Sequence, residues 1–296
     1  MAVAVVTGSS TGIGLATAVT LARAGHTVYA AMRNPEAGGA EMRSFAAGED
    51  LTIRIARLDV DSDESVRAAF QAIRKEAGRV DVLVNNAGIG NMGPVEETPL
   101  DVFRAVMETN YFGALRCIRT VLPAMRERRS GCIVNVTSVA GRISVAPQAA
   151  YASSKWALEA LSEALAQEVR TFGIRVAIVE PGVIATPIFG KIGTSDDGTR
   201  YPHMRRMLEL FRASLENPVS PYVVGEKIRE IVDSGTTHLR HPVGPDAAGL
   251  LGFRSSLTDE QWVDWGAATD SEWVANVRQH FGLNVSLESG VRKCGA

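Results

Sequence analysis

A glycine-rich turn near the start of the sequence constrains the fold of this chain more than any other feature. The turn, Thr7-Gly8-Ser9-Ser10-Thr11-Gly12-Ile13-Gly14, follows a short valine-rich segment, residues 2–6, that is typical of a buried parallel strand. Apolar residues at helical spacing continue up to Gly25, which predicts a helix that ends there. A strand, a glycine turn and a helix in this order present backbone N–H groups and the positive end of a helix to a phosphate. The turn therefore predicts a phosphate-binding loop within an α/β fold.

Strand and helix patterns alternate through residue 182, which is typical of a parallel sheet with helices on both faces. The later predicted strands cover residues 26–32, 51–58, 80–84, 132–136 and 174–179. The predicted helices cover residues 36–47, 99–128 and 149–172, and one more helix is capped by Asp61 or Ser62. We therefore predict a single Rossmann-type, doubly wound parallel sheet.

The alternation stops after Gly182. Residues 183–202 are rich in Gly, Thr and Pro, and residues 194–198 are predicted to form a mobile loop. Further predicted elements are helices over 203–216 and 221–234, a strand near 237–241, and a helical pattern around 258–281 that contains Trp262, Trp265 and Trp273. Because no linker separates these parts, we predict one domain over residues 1–296 with a C-terminal extension at about 242–296.

Charge and hydropathy argue against several classes of function. A formal net charge of −2 supplies no basic surface for nucleic acid or for an anionic membrane. No apolar run reaches the roughly 18 residues that a membrane-spanning helix needs. The first strand begins without the basic and apolar regions of a signal peptide, and we therefore predict a cytoplasmic protein.

The cysteines and histidines do not show the spacing of a metal site. The three cysteines are far apart and odd in number, which favours reduced thiols: Cys117, Cys132 and Cys294. No cluster of cysteines or carboxylates accompanies the histidines that invite a metal interpretation: His203, His238 and His241. We predict no metal site.

Two residues in the longest predicted helix are suited to acid–base chemistry. Tyr151 and Lys155 are four residues apart, so their side chains share one helical face. A phenol has a reference pKa of about 10, and a nearby ammonium or a positively charged cofactor ring favours its ionised form. Tyr151 can then donate a proton to a developing alkoxide or accept one from an alcohol. Ser138, at the end of a predicted strand, can hydrogen-bond the substrate oxygen as charge develops on it.

In their order and spacing, these motifs resemble those of the short-chain dehydrogenase/reductase family over about residues 3–190. The glycine turn resembles the family's cofactor turn, Asn85-Asn86-Ala87-Gly88 its fourth-strand signature, and Pro181-Gly182 its sixth-strand motif. The resemblance implies hydride transfer between a nicotinamide cofactor and an alcohol or carbonyl carbon. It also implies that Lys155 holds the nicotinamide ribose and that Asn110 anchors a water linking Lys155 to solvent. The implied catalytic set is Asn110, Ser138, Tyr151 and Lys155.

The end of the second predicted strand bears on which nicotinamide cofactor binds. The strand ends Ala31-Met32-Arg33, without the acidic residue that would bind the ribose hydroxyls and repel a 2′-phosphate. The guanidinium of Arg33 suits a phosphate, so we predict NADP(H), with NAD(H) as the alternative. Thr11 stands where many NADP-preferring relatives carry a basic residue.

By resemblance, Asp59 contacts the adenine and Thr186 contacts the nicotinamide amide. The full set of cofactor contacts that the resemblance implies is Gly8, Ser10, Thr11, Gly12, Ile13, Gly14, Arg33, Asp59, Val60, Asn86, Ala87, Gly88, Tyr151, Lys155, Pro181, Gly182, Val183 and Thr186.

In this family the segment after the sixth strand closes over the substrate. The corresponding lid segment here, about residues 183–220, is rich in apolar side chains: Ile184, Ile188, Phe189, Ile192, Tyr201, Met204, Met207, Leu208, Leu210 and Phe211. They predict a bulky hydrophobic ketone or alcohol as substrate, although amphipathic helices also need such residues to pack. Tyr29–Arg33 and the extended tail are similar to the steroid and retinol dehydrogenase branch.

Two other functions are compatible with the sequence. Reduction of a 3-oxoacyl thioester would need a basic docking patch for an acidic carrier, and no strong basic cluster lies near the predicted cleft loops. A catalytically idle, cofactor-binding sensor or scaffold would not need intact Ser138, Tyr151 and Lys155. The resemblance also implies a homodimer or homotetramer through the helices at 99–128 and 149–172. The C-terminal extension could cover the site, cover a subunit interface or add core.

Overall fold

A seven-stranded parallel sheet forms the centre of the computed structural model, which describes residues 1–190, 192 and 198–287. In chain order the strands are β1 (Val3–Thr7), β2 (Thr27–Met32), β3 (Ile53–Arg57), β4 (Val82–Asn85), β5 (Gly131–Val136), β6 (Ile174–Pro181) and β7 (Arg240–Val243). Across the sheet their order is β3-β2-β1-β4-β5-β6-β7. The predicted doubly wound fold is confirmed, and β7 begins later in the chain than predicted.

Helices connect and surround these strands. They are α1 (Gly12–Arg23), α2 (Pro35–Gly38), α3 (Ala40–Gly48), α4 (Asp63–Ala77), α5 (Leu100–Met107), α6 (Gly113–Glu127), α7 (Ala149–Val169), α8 (His203–Leu215), α9 (Tyr222–Ser234), α10 (Ala247–Ser255), α11 (Asp259–Ala267) and α12 (Asp270–Phe281). Most of the loop predicted at 194–198 lies outside the described residues.

Several predicted helices differ in detail from the observed ones. The helix predicted over 36–47 is two helices, because Asn34 caps the short α2 and the chain restarts as α3 after Gly39. The helix predicted over 99–128 is interrupted by a π-helical turn at Glu108–Phe112. Ser62, and not Asp61, caps α4 by accepting a hydrogen bond from the Ser65 N–H at 3.2 Å.

The C-terminal extension also contains more structure than the sequence pattern predicted. Helix α10 was not predicted, and the pattern over 258–281 is two helices. Each of these, α11 and α12, begins with a capping box, at Thr258 and Thr269 respectively.

The core lies on both faces of the sheet because side chains alternate along each strand. On one face, Val6 of β1 packs with Val19 of α1 and Ile228 of α9. On the other face, Val5 packs with a cluster that includes Phe70 of α4 and buried residues of α6 and α7. Burial on both faces explains why the strands are almost continuously apolar.

The strand order also fixes where a ligand can bind. β1 lies between β2 and β4. The chain places β2 and β3 on one side of β1 and then crosses to place β4 to β7 on the other side. At such a switch point the loops diverge and leave a crevice at the carboxyl ends of the strands. The glycine turn after β1 lies at this point.

Candidate active site

A cleft of about 830 Å³ opens at the carboxyl ends of the strands. Most of the residues predicted from the sequence line it together: Gly8, Ser10, Thr11, Gly12, Ile13, Arg33, Asp59, Val60, Asn86, Ala87, Gly88, Ser138, Tyr151, Lys155, Pro181, Gly182, Val183 and Thr186. Two predicted residues, Gly14 and Asn110, are not among the described residues that form its wall.

The glycine turn is held tightly against the end of β4. The Thr7 hydroxyl accepts hydrogen bonds from the N–H groups of Asn86 and Ala87, each at 3.0 Å. The Asn86 side-chain amide donates a hydrogen bond to the Thr7 carbonyl at 2.9 Å. Gly8 has a φ of +67°, and a Cβ there would lie 2.7 Å from the Ala87 Cα, so only glycine fits.

The first turn of α1 borders the cleft, because Gly12 and Ile13 line it. The first N–H groups of a helix have no acceptor inside that helix. Thr11, the residue before α1, is extended, and within the described chain its side chain does not cap them. Uncapped N–H groups and the positive helix end fit the phosphates of a dinucleotide.

Arg33 and Asp61 lie where the β2 and β3 loops meet this end of the cleft. Arg33 is exposed, and its charge attracts that of Asp61. Burial raises the pKa of Asp61, although the Thr109 hydroxyl donates to its Oδ2 at 3.0 Å. Sequence reasoning singled out Asp59 but missed Asp61 as a cleft residue, although it stands two residues further along the same loop.

Ser138 lies just beyond the end of β5, at the start of the 3-10 turn Val139–Gly141. Its Oγ accepts a hydrogen bond from the Ala140 N–H at 3.1 Å and donates a long one of 3.4 Å to the Pro181 carbonyl. The second bond is weak enough to be exchanged for a substrate oxygen.

Tyr151 and Lys155 reach the same part of the cleft from α7. The Lys155 Nζ lies 5.7 Å from the centre of the Tyr151 ring and donates to the Val136 carbonyl at 3.0 Å. Burial lowers the pKa of Lys155 to about 8, and the charge of Glu159 opposes this shift. Lys155 is therefore a cation at neutral pH that gives up its proton more easily than an exposed lysine.

The pKa of Tyr151 differs from the expectation. We expected the neighbouring ammonium to favour the phenolate, but burial raises the pKa of Tyr151, and the hydrogen bond to Ser138 opposes this only in part. The physical reason is that removing a phenolate from water costs more than this hydrogen bond returns. In the chain itself Tyr151 is thus a neutral proton donor.

Asn110 lies behind the cleft wall in the π-helical turn. Its Oδ1 accepts from the Ile89 N–H at 2.8 Å, and its Nδ2 donates to the Ile89 carbonyl at 3.0 Å. Nδ2 also donates to the Ser154 Oγ at 2.9 Å. The chain thus engages both amide hydrogens, and a water at this residue would have to use the remaining acceptor capacity of Oδ1.

Lid residues form an apolar part of the cleft wall. The predicted lid residues that line it are Ile184, Ile188, Phe189, Ile192 and Phe211. Phe189 and Phe211 meet edge to face, with ring centres 5.0 Å apart. Met204 and Met207 instead pack against Met92. The lid therefore both shapes the cleft and forms a small core of its own.

Two amide side chains in this wall were missed from the sequence. Asn91 and Gln148 both line the cleft. Gln148 immediately precedes α7 and lies outside the helix predicted over 149–172, so helical spacing did not indicate it. Asn91 follows the Asn85–Gly88 signature in an irregular loop, where no spacing rule applies.

Other candidate sites from the sequence have ordinary structural roles. His203 contacts the Gly266 carbonyl at 3.1 Å, and His241 contacts the His238 carbonyl at 3.0 Å. The described residues contain no group of three or more His, Cys, Asp or Glu that could hold a metal ion. Cys117 and Cys132 are buried free thiols, and Cys294 lies outside the described residues. Every helix in the described part of the chain is too short or too polar to cross a membrane.

Comparisons with known proteins agree with this geometry. A family model described as short chain dehydrogenase matches residues 2–197. Retinol dehydrogenase 8 from Bos taurus is 45% identical over 268 residues, which cover 84% of this chain and 84% of that protein. The structure of a short-chain dehydrogenase from Streptomyces avermitilis is 36% identical, with a TM-score of 0.77, and the match covers 93% of this chain and 97% of that one. An actinorhodin polyketide ketoreductase solved with NADPH is 30% identical, with a TM-score of 0.73, and the match covers 83% of this chain and 97% of that one.

Proposed function

The chain belongs to the short-chain dehydrogenase/reductase family, and from this premise we propose that it is an NADP(H)-dependent enzyme for a bulky hydrophobic ketone or secondary alcohol. Oxidoreductase activity and a nicotinamide cofactor follow from the family. One observation carries the proposal beyond that: Ser138, Tyr151 and Lys155 line one cleft together with the glycine turn and Arg33.

The proposed catalytic residues would act on the oxygen of the substrate. When bound, the nicotinamide cofactor supplies or accepts the hydride. In the reductive direction Ser138 donates a hydrogen bond to the carbonyl oxygen, and Tyr151 donates its phenolic proton as the alkoxide forms. The raised pKa of Tyr151 suits this role, because the residue carries its proton at neutral pH. In the oxidative direction the same groups work in reverse.

Lys155 and Asn110 would support this proton transfer. A cationic Lys155 binds the cofactor ribose and stabilises the phenolate left after Tyr151 has donated its proton. The contact between Lys155 and the Val136 carbonyl fixes the ammonium beside Tyr151. Asn110 would hold a water that returns a proton to Lys155, and this role rests on the family resemblance.

Preference for NADP(H) is supported by Arg33. The guanidinium is exposed at the cleft end of β2, so it is free to form a paired contact with a 2′-phosphate. The related polyketide ketoreductase was solved with NADPH. NAD(H) is the alternative, and binding to an Arg33 variant separates the two.

A hydrophobic substrate is supported by the wall of the cleft. The cleft of about 830 Å³ is lined in part by five apolar lid residues: Ile184, Ile188, Phe189, Ile192 and Phe211. One relative carries the name retinol dehydrogenase 8. We propose a steroid-like, retinoid-like or aromatic substrate that places its oxygen near Tyr151 and its apolar body against the lid.

We also propose that the chain forms a homodimer or homotetramer through α5, α6 and α7. Ala160 and Ala164 are exposed on α7, and Trp156 and Phe112 are 49% and 42% exposed. Light scattering tests this proposal. A single domain over residues 1–296 and a cytoplasmic location stay predictions.

The test of the proposed function is nicotinamide absorbance over time. Wild-type protein is assayed with NADPH and with NADH on ketones that range from small aliphatic to retinoid-like and steroidal. We expect wild type to turn over large hydrophobic ketones with NADPH. The rate of this turnover should fall about 100-fold or more in Tyr151→Phe. Tyr222→Phe is the control, because it also removes a tyrosine hydroxyl but lies on α9, outside the residues that line the cleft. Its turnover should equal that of wild type.

Three outcomes of this assay would contradict parts of the proposal. Turnover that survives in Tyr151→Phe would overturn the role of Tyr151. Preference for NADH would overturn the role of Arg33 and leave the chemistry in place. Tight cofactor binding without turnover of any ketone would favour the sensor or scaffold function.

A further inference from the structure

Asp246, at the start of α10 in the C-terminal extension, contacts the turn that follows β6. The Val183 N–H donates a hydrogen bond to the Asp246 Oδ2 at 2.8 Å. We propose that Asp246 is a positioning residue that fixes the Pro181–Val183 turn and thereby the nicotinamide end of the cleft. The inference rests on the proposed function and assigns a role to the C-terminal extension.

The contact is built by the last strand of the sheet. β7 pairs with β6 so that Val243 stands beside Pro181, and the Gly182 N–H donates to the Val243 carbonyl at 2.9 Å. Gly244, with a φ of +107°, then turns the chain back toward β6. This turn brings Asp246 over Gly182, although the two residues are far apart in sequence.

The fit between Asp246 and the turn is close. A Cβ added to Gly182 would lie 2.1 Å from the Asp246 Oδ1, so a side chain at residue 182 could not coexist with this carboxylate. The Oδ1 atom is buried and has no hydrogen-bond partner in the described part of the chain. A buried carboxylate oxygen without a partner is unfavourable, which argues against simple stabilisation as the reason for this residue.

The turn that Asp246 holds belongs to the reacting end of the cleft. Gly182 and Val183 line the cleft, and the carbonyl of Pro181 accepts the Ser138 hydroxyl at 3.4 Å. Arg33 follows β2, which lies four strands away from β6 in the sheet. At about 4.8 Å per strand the two sites are roughly 19 Å apart, so a shift of the turn should not reach the adenosine end.

This separation gives a readout that a merely structural role would not produce. A positioning role predicts weaker binding of the nicotinamide half alone. A general structural role predicts lower stability and equal weakening of both halves of the cofactor. Asparagine at residue 246 keeps a side-chain acceptor for the Val183 N–H. Alanine has no acceptor, and the serine side chain is too short to reach the Val183 N–H.

The experiment is isothermal titration calorimetry of the full chain with two ligands, NADPH and adenosine 2′,5′-bisphosphate, which lacks nicotinamide. For Asp246→Ala we expect the Kd of NADPH to rise about tenfold and the Kd of the bisphosphate to stay within about twofold. Asp246→Asn should bind NADPH within about threefold of wild type, because it keeps the hydrogen bond. Asp259→Asn is the matched control, since that carboxylate lies in the same extension and is 86% exposed.

Circular dichroism checks that each variant is folded. If Asp246→Ala does not fold, Asp246→Ser carries the same expectation, because serine is favoured at a helix start but is too short to reach Val183. If Asp246→Ala weakened the binding of both ligands equally, or did not weaken the binding of NADPH, the inference would be overturned and the proposed function would stand. Wild-type protein that binds neither ligand would overturn both.

Discussion

The Asn110 amide donates a hydrogen bond to the Ser154 hydroxyl at 2.9 Å, and Ser154 in turn donates to the Tyr151 carbonyl at 2.7 Å. These two bonds join the π-helical turn between α5 and α6 to the first turns of α7. Because Asn110 also pairs with both backbone groups of Ile89, one buried amide connects three segments that border the cleft. A π-helical turn often marks a functional site, and here it turns Asn110 toward these partners.

We expect Asn110→Leu to reduce the free energy of unfolding by about 3 kcal/mol, because the substitution removes three hydrogen bonds and leaves the N–H and carbonyl of Ile89 without their side-chain partner. Urea denaturation followed by circular dichroism measures this change. Ser154→Ala is the control, since it removes one hydroxyl from the same network and should reduce the free energy of unfolding by only about 1 kcal/mol. Equal losses in the two variants would contradict a central role for Asn110.

Lys155 is predicted to lower the free energy of unfolding of the protein, although it has a proposed role in catalysis. Burial lowers the pKa of Lys155 from its ordinary value of 10.5 to about 8, so the folded chain disfavours the cation. This penalty is fully present below pH 8 and fades as the pH rises toward 10.5. It amounts to about 3 kcal/mol at pH 7. Replacing Lys155 by methionine removes this penalty but also removes the hydrogen bond to Val136, which costs about 1 kcal/mol.

We therefore expect the free energy of unfolding of Lys155→Met at pH 7 to exceed that of wild type by about 2 kcal/mol, so that the variant unfolds at a higher temperature. The variant should also lose turnover. Near pH 10 the gain in stability should largely disappear. Differential scanning calorimetry at both pH values tests this. Lys227→Met, which removes a lysine in a surface ion pair with Glu230, should show no comparable gain at pH 7.

Glu180 should give stability a separate dependence on pH. The carboxyl is fully buried, and within the described residues neither of its oxygens has a hydrogen-bond partner. Burial and the charge of Glu159 raise the pKa of Glu180 to about 6, although Arg142 at 3.6 Å and Arg240 at 3.8 Å attract it. A raised pKa means that the protonated form favours folding, so this stability is present below about pH 4.5 and is lost as the pH rises through about 6.

We expect Glu180→Gln to be more stable than wild type by about 2 kcal/mol at pH 8 and equally stable near pH 4. Thermal unfolding at several pH values between these limits measures the difference. Glu163→Gln is the control, because Glu163 is an exposed partner of Arg240. A Glu180→Gln variant less stable than wild type at pH 8 would show that the two arginines outweigh burial.

The sequence predicted the parts of the site that local patterns determine. The glycine turn, Asn86, Ser138 and the pair Tyr151 and Lys155 stand at strand ends or at helical spacing, and a parallel sheet necessarily gathers strand ends at one edge. The contact of Asp246 with Val183 depends on the pairing of β7 with β6, which no local pattern indicates.

Burial is the second quantity that could not be read from local patterns. The pKa of Tyr151 was expected to fall because a lysine is near in sequence, yet it rises because the packed cleft removes water from the phenol. The interruption of the predicted helix over 99–128 has the same origin. The π-helical turn at Glu108–Phe112 turns Asn110 toward partners on the loop after β4 and on α7.

Arg33 should decide which cofactor binds. The residue is exposed at the cleft end of β2, and the proposed contact is a charge-assisted hydrogen bond to a 2′-phosphate that NADH lacks. We expect Arg33→Ala to raise the Kd of NADPH about 30-fold and to leave the Kd of NADH within about twofold, as measured by calorimetry. Arg57→Ala is the matched control, since Arg57 ends the neighbouring β3 and pairs with Glu36 at 2.9 Å. If Arg33→Ala weakened both cofactors equally, Arg33 would act on a part that they share, and the site would not discriminate through this side chain.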